Sequence, residues 1–552
     1  MKFAKYLMLM AVVAMAIIPQ KLSSCTNFIV TKGASVDGSV MITYNADAGG
    51  FMEPLYYMQA KDHKPGDMID IYDWDSGKFL GKIKQVPHTY QVVGNMNEYQ
   101  VAIGETTFTG REELRDTTGI IDYGSLIYLA LQRSTTAREA IKVMTDLVAE
   151  YGYYSTGESF SVGDANEVWI LELIGKGPGV KGANWVARRI PDGFVAAHAN
   201  QSRIREFPMN DSENCLFSKD IVEFAISKKY YDPKKDGEFK FADAYCPIDP
   251  NSLLACEGRV WTLFRKSAPS LNLSSDYWRC VEGAEPYPLF IKPDRKLSVQ
   301  DAISFMRDHF EGTEFDMTKG VAAGPYGCPY RWKPLGWKLE GDTVTKYLWE
   351  RPIATQQSAF AFCTQARSNM PREIAGVFWY GPDDCFFTVY NPLYVSVKAV
   401  PETFSKYAID HFSLESGFWV FNLVANIAYN KYSLILEDIQ KVQSEIESKY
   451  FANQAAVEKT AMELYTKDKD AAINYLTDYS VSNSESTVKR WRKLWETLVM
   501  KFNDGYINDV NKDFGRHPKS SHYGQEFLKQ VVTERPDYYK DQWVKPSKKK
   551  KK

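Results

Sequence analysis

The chain has 552 residues, 44% of them hydrophobic and 14% aromatic, with a formal net charge of −2. Such a composition builds a large buried core, which excludes a disordered polymer, and the balanced charge excludes the bulk basicity of a nucleic-acid binder. The seven histidines are dispersed and there is neither a Cys-x-x-Cys pair nor a phosphate-binding glycine loop, so the expected chemistry needs no metal or other cofactor.

The first predicted segment is a leader. Lys2 and Lys5 precede an apolar run from Leu7 to Ile18 and a polar stretch from Pro19 to Ser24, the three parts of a secretion signal. The run is shorter than the roughly 20 residues that a permanent membrane anchor needs. Residues 1–24 are therefore expected to be removed, leaving a soluble protein exported to the periplasm or the cell exterior. Cys25 then carries a thiol and an α-amine on one residue. Leu22-Ser23-Ser24-Cys25 also resembles a bacterial lipobox, whose product is a lipid-anchored cysteine without catalytic chemistry, although Gln20 and Lys21 interrupt the apolar run that a lipobox continues.

Phe28 to Thr31 and Ser39 to Tyr44 are β-prone, with Asp37-Gly38 as the turn between them. A strand thus starts almost at Cys25, where a lipoprotein places a polar linker. Further strands are expected at Val101 to Phe108, Ser159 to Val162, Val168 to Leu173, Ile374 to Tyr380 and Cys385 to Tyr390. Between them, Thr136-x-x-Glu139 and Ser298-x-x-Asp301 read as capping boxes ahead of the apolar stripes Ala140, Ile141, Met144, Leu147, Val148 and Ile303, Met306, Phe310. This alternation suits a layered α+β fold. From about Leu414 the period becomes helical, with one stripe at Ile435, Ile439, Val442, Ile446 and another at Val488, Trp491, Trp495, Leu498. The stripes suit packing onto the main domain, and they also suit a homo-oligomer or partner surface. The chain ends in five lysines.

Several ordered blocks carry a family likeness. They are Cys25-Thr26, Ala34-Ser35-x-Asp37-Gly38-Ser39 and Asn45-x-Asp47, then Glu158-Ser159-Phe160, Trp169 to Glu172, Trp185 to Arg189, Asn200 to Ile204 and Pro371 to Trp379. In this order they resemble the cysteine dipeptidases of the dipeptidase D and secernin-like group, which are N-terminal nucleophile (Ntn) hydrolases distantly similar to bile salt hydrolases and penicillin V acylases. The resemblance implies a four-layer αββα sandwich with a C-terminal helical subdomain. The expected organisation is a signal peptide at 1–24, a catalytic domain at 25–413, the helical subdomain at 414–545 and a basic disordered tail at 546–552.

The chemistry follows from Cys25. A cysteine thiol titrates near about 8.5 and an α-amine near about 7.7 to 8.0, so at neutral pH the amine can take the thiol proton. Attack on an amide carbonyl gives an oxyanion, then a thioester that water hydrolyses. The resemblance makes Asn200 the candidate oxyanion donor and Asp47 the candidate for orienting the α-amine. It also implies Arg-Asn-x-Asp where this chain has Tyr44-Asn45-Ala46-Asp47, so another arginine, with Arg367 the first candidate, has to supply the missing guanidinium. The expected substrate is a dipeptide or very short peptide. The alternatives are an amidase for N-acyl amino acids or bile-salt-like conjugates, and a non-catalytic lipoprotein. If Cys25 stays a thiol, the eight cysteines allow at most three disulfides.

Overall fold

The structure of the protein, a computed structural model, describes residues 25–540 apart from 49–53, 333–334, 343, 407–408 and 512–516. The expected leader and the lysine tail lie outside the described residues. The chain opens with the hairpin β1 (Thr26–Val30) and β2 (Met41–Asp47), followed by β3 (Tyr57–Met58) and a second hairpin of β4 (Met68–Tyr72) and β5 (Phe79–Lys84). Next come β6 (Val92–Val93), β7 (Met96–Asn97), β8 (Ala102–Thr109), and the helices α1 (Tyr123–Arg133) and α2 (Ala137–Tyr151). Five strands follow: β9 (Gly157–Gly163), β10 (Val168–Gly175), β11 (Ala183–Arg189), β12 (Val195–His198) and β13 (Cys215–Phe217). Helix α3 (Pro250–Ser267), β14 (Phe290–Ile291) and α4 (Val299–Met306) lead to β15 (Ser358–Gln365), β16 (Val377–Pro382) and β17 (Asn391–Tyr394). Helices α5 (Gly417–Asn430), α6 (Tyr432–Tyr465) and α7 (Lys469–Lys501) follow, with shorter elements between and after those named.

Two large antiparallel sheets result, beside small two-stranded ones such as β4-β5, one ordered β14-β12-β1-β2-β15-β16-β17 and the other β13-β11-β10-β9-β8-β7-β6-β3. They face each other where β1 and β2 meet β8. Gly104 is required there, because a Cβ on it would stand 2.1 Å from Asn27 Oδ1. His198 of β12 joins the sheets, its Nδ1 2.7 Å from Thr106 Oγ1 and its Nε2 2.7 Å from Ser161 Oγ. Alternation along β8 to β10 sends Ile103, Phe160, Val162, Trp169 and Leu171 to a separate core under α1 and α2, as the period of two requires. Helices α3 and α4 pack on the first sheet, and α5 to α7 cover its β16–β17 end. The fold is α+β.

Both caps form. Thr136 accepts from Glu139 N and starts α2, and Ser298 with Asp301 makes a reciprocal box at α4. Two expectations change. Ile374 lies in a short helix, Arg372–Ala375, that precedes β16. Cys385 to Tyr390 is a turn rather than a strand, because Asp383 takes a left-handed φ of 66° and Asp384 accepts from the N–H groups of Phe386, Phe387 and Thr388. The chain pairs with β16 only from Asn391.

Candidate active site

Cys25 stands one residue before β1, and the register of Thr26 against Asn45 brings it beside the end of β2. It is 2% exposed. Its Sγ lies 3.2 Å from Tyr44 Oη and donates to Glu105 Oε1 at 3.4 Å. Tyr44 gives the same Oε1 a short hydrogen bond. Burial, followed by the charges of Glu105 and Asp47, pushes the thiol well above its ordinary range. In the full-length chain, where the Cys25 nitrogen is an amide, the thiol keeps its proton.

Asp47 reaches Cys25 through its backbone, which hydrogen-bonds the sulfur. Its carboxylate is held by Ser358 Oγ at 2.7 Å and by a short bond from Arg351 Nη2. Burial outweighs these partners and raises the Asp47 carboxyl. Asn45, by contrast, points its amide at the carbonyls of Met306 and Ile353 and at Cys385 Sγ, which is a packing role.

The guanidinium beside Cys25 belongs to Arg259 of α3. Its Nη1 donates to Cys25 O at 2.6 Å and Thr26 Oγ1 at 2.9 Å, and its Nη2 to Ala199 O at 3.1 Å and Asn200 Oδ1 at 2.9 Å. Burial lowers it to about 10. Arg367 does not take this place. It sits at the other end of β15, forked onto Glu458 at 2.6 and 2.9 Å. Asn200 adopts a left-handed φ of 60° after β12, and its Nδ2 donates to Thr107 O at 2.8 Å. One guanidinium therefore ties the Cys25 carbonyl to the Asn200 side chain.

Glu172 explains why blocks far apart in sequence meet here. From β10 its buried carboxylate accepts from the backbone N–H groups of Arg203 at 2.6 Å and Ile204 at 3.2 Å and from Ser202 Oγ, so it shapes the loop that carries Asn200. Burial raises it to about 6. Behind the loop, Arg203 and Glu257 form an ion pair at 3.0 Å with both side chains 3% exposed.

Glu105 of β8 and Glu158 of β9 form a second constellation. The register sets Thr107 against Glu158 and Glu105 against Phe160, which places the two carboxyls diagonally on one face, hydrogen-bonded to each other. Thr107 Oγ1 also donates to Glu158 Oε1 at 2.8 Å. Burial pushes both carboxyls up, and the facing Glu105 charge pushes Glu158 further. Two carboxyls this close share one proton rather than ionise together.

Sequence reasoning singled out Cys25, Asp47 and Asn200, and the structure gathers all three around Arg259 and Arg351. It missed Arg259 and Glu105. The available signal was a charge inside an apolar run: Arg259 lies among Leu253, Cys256, Val260 and Leu263 of α3, and Glu105 interrupts Val101 to Phe108.

Residues 68–445 match the model of peptidase family C69, a span that includes Glu105, Glu158, Asn200, Arg259 and Arg351 and begins after Cys25 and Asp47. The chain is 27% identical over 466 residues to a probable dipeptidase of Latilactobacillus sakei, covering 80% of this chain and 89% of that protein. It is 25% identical over 487 residues to a probable dipeptidase A of Streptococcus pyogenes serotype M3 (strain SSI-1), with 85% and 96% covered. Dipeptidase A of Lactobacillus helveticus is 25% identical over 443 residues, with 76% and 85% covered. With the family model spanning most of its length, the chain belongs to peptidase family C69, the cysteine dipeptidase family that its ordered blocks resemble.

Proposed function

We propose that this peptidase is exported and hydrolyses dipeptides or very short peptides through Cys25, exposed as the N-terminal residue when residues 1–24 are cut away. The observation that carries the reading is the shared guanidinium of Arg259, which fixes the Cys25 backbone and the Asn200 side chain in one frame. The new α-amine takes the thiol proton, and the thiolate attacks the peptide carbonyl. The departing amine receives that proton, and water then releases the acyl half from the thioester. Asn200, tied to the Cys25 backbone through Arg259, is the candidate oxyanion donor, a contribution worth about 3 to 4 kcal/mol. Asp47 positions the start of the chain, with its carboxylate anchored by Arg351 and Ser358. The two facing sheets with helices outside them support the layered αββα architecture of Ntn hydrolases.

The strand that begins one residue after Cys25, where a lipoprotein places a polar linker, weighs against lipidation. Export to the periplasm or the cell exterior rests on the leader alone. Two measurements test the reading together. The intact mass of the mature protein is expected to correspond to a chain that starts at Cys25 and carries no lipid, and Cys25→Ala is expected to abolish turnover of Ala-Ala. A diacylglyceryl adduct, or an alanine variant that still cleaves, would overturn it.

A further inference from the structure

Tyr44 stands where the family likeness implies an arginine, and its hydroxyl meets the reacting sulfur. The register sets Tyr44 of β2 between Asn27 of β1 and Phe362 of β15, and Phe360 and Phe362 hold its ring at centroid distances of 5.8 and 5.4 Å. The ring is fixed, while the hydroxyl proton is free to turn. Two acceptors lie within its reach: Glu105 Oε1, which takes a short bond from it, and Cys25 Sγ at 3.2 Å. The Arg259 guanidinium is turned elsewhere, with Nη1 and Nη2 on the oxygens of Cys25, Thr26, Ala199 and Asn200. Burial, followed by the charges of Cys25 and Glu105, pushes the Tyr44 phenol well above its ordinary range, so the hydroxyl keeps its proton at neutral pH.

We propose that Tyr44 is a catalytic residue: when the Cys25 thiol gives its proton to the α-amine, the Tyr44 hydroxyl turns from Glu105 to the sulfur and donates to the thiolate. The proposal rests on Cys25 as the nucleophile. The step balances, since the S–H bond breaks, an N–H bond forms on the amine, and Tyr44 keeps its own proton and changes only its acceptor. The sulfur, a donor to Glu105 as a thiol, becomes an acceptor. Glu105 loses both donors in this exchange, and the proton that it shares with Glu158 settles on it. The negative charge of the pair then rests on Glu158, which is bonded to Thr107 Oγ1. The titratable and charged groups facing the sulfur and the hydroxyl are Glu105 of β8 with Glu158 of β9 bonded to it, Asp47 of β2, Tyr123 of α1 and Arg259 of α3, joined in the mature chain by the α-amine. Burial and the charges of Glu105 and Asp47 raise the thiol, and the Tyr44 hydroxyl leads the hydrogen-bond partners that lower it. A hydrogen bond to an ionised acceptor is stronger than one to a neutral acceptor, and here it is worth about 10- to 100-fold in thiolate population.

The test follows the pH dependence of Cys25 alkylation by iodoacetamide in the mature enzyme, read on the N-terminal peptide by mass spectrometry so that the exposed Cys280 does not interfere. The thiolate is the form that reacts. Tyr44→Phe keeps the ring and removes the hydroxyl. It is expected to raise the apparent pKa of Cys25 by about 1 to 2 pH units and to lower kcat/KM for Ala-Ala at pH 7 by about 10- to 100-fold, mainly through kcat. A loss of activity with an unmoved pKa would assign Tyr44 to packing and overturn the proposal, as would a pKa that falls or a variant that matches wild type in both measurements. Site-specific 3-fluorotyrosine at position 44 gives an answer whether or not the phenylalanine variant folds. Its more acidic hydroxyl is a stronger donor, so the apparent pKa of Cys25 is expected to fall, and a rise or no change would overturn the proposal. A Cys25→Ala protein that still cleaves Ala-Ala would overturn the nucleophile reading and the catalytic role of Tyr44 with it. An inactive Cys25→Ala protein together with an unmoved pKa in Tyr44→Phe would overturn the role of Tyr44 alone.

Discussion

Arg259 spreads its guanidinium over five acceptors, with Nε on Ala255 O at 2.8 Å as the fifth, which only a planar fork can do. A lysine is a point charge and satisfies one or two of them at a time. Arg259→Lys is expected to lower kcat by about 100-fold, the scale of a 1 Å misplacement of reacting groups, measured under saturating substrate. Charge is conserved in this variant, so the loss reports geometry. Cys25 was legible because an apolar, leader-like run precedes it and a strand follows it, and Asn200 and Glu172 because they stand in ordered blocks. Arg259, Arg351 and Glu105 were not, since neighbouring charges such as Glu257 and Glu350 blur the arginines and nothing local marks Glu105 beyond the interrupted run; each is defined by tertiary contacts. Its partners arrive from residues far along the chain, 234 positions away for Arg259 and Cys25 and 304 for Arg351 and Asp47.

At the scale of elements, α6 shows how a periodic sequence misleads. Its apolar stripe at Ile435, Ile439, Val442 and Ile446 points to one buried face, yet the structure buries Gln443 and Glu447 after Ile435 and Ile439. The helix crosses the first sheet on a polar seam. Glu447 receives a forked pair from Arg307 at 2.6 and 3.0 Å and the N–H of Tyr390 at 3.0 Å, and Glu458, three turns on, receives Arg367. Gln443 donates to the carbonyls of Phe386 and Thr388 at the turn after β16. A turn has unpaired backbone groups to offer and an apolar stripe cannot bond them, so Gln443 and Glu447 share the inner face with Val442 and Ile446, which pack half-buried against the core. Glu447→Ala leaves Arg307 buried without its counter-charge and is expected to cost about 3 to 5 kcal/mol, read as a lower urea midpoint. Caps and strands were legible because their signals lie within four to eight residues. The turn at Asp383 was not, because only tertiary contacts require it.

For the molecule as a whole, buried titratable groups set opposing pH limits. Asp383, facing Asp384 and bonded to Asn422 Nδ2 at 2.9 Å, is pushed up to about 8 by burial, and Asp384 and Glu172 to about 6. An unfolded aspartate titrates near about 3.9, so the native state holds protons that the unfolded chain has lost. That contribution is full below about pH 4 and declines as pH rises through 8. His198, held neutral between Thr106 and Ser161, is lowered to about 3 by burial, and its contribution is lost as pH falls below about 6.5. Between pH 6.5 and 8 the Asp383 slope is exposed. Urea-measured stability is expected to fall there by up to about 2 kcal/mol, and Asp383→Asn to flatten the fall. The lie of β1 has a different kind of consequence. It is an inner strand, paired to β12 on one side and β2 on the other, so its register cannot slide to absorb an error at the chain start. One extra residue fills the place of the amine and one missing residue removes the sulfur. Under the processing proposed above, the strand works as a ruler against which the cut is measured, and a purification tag is best carried at the other end.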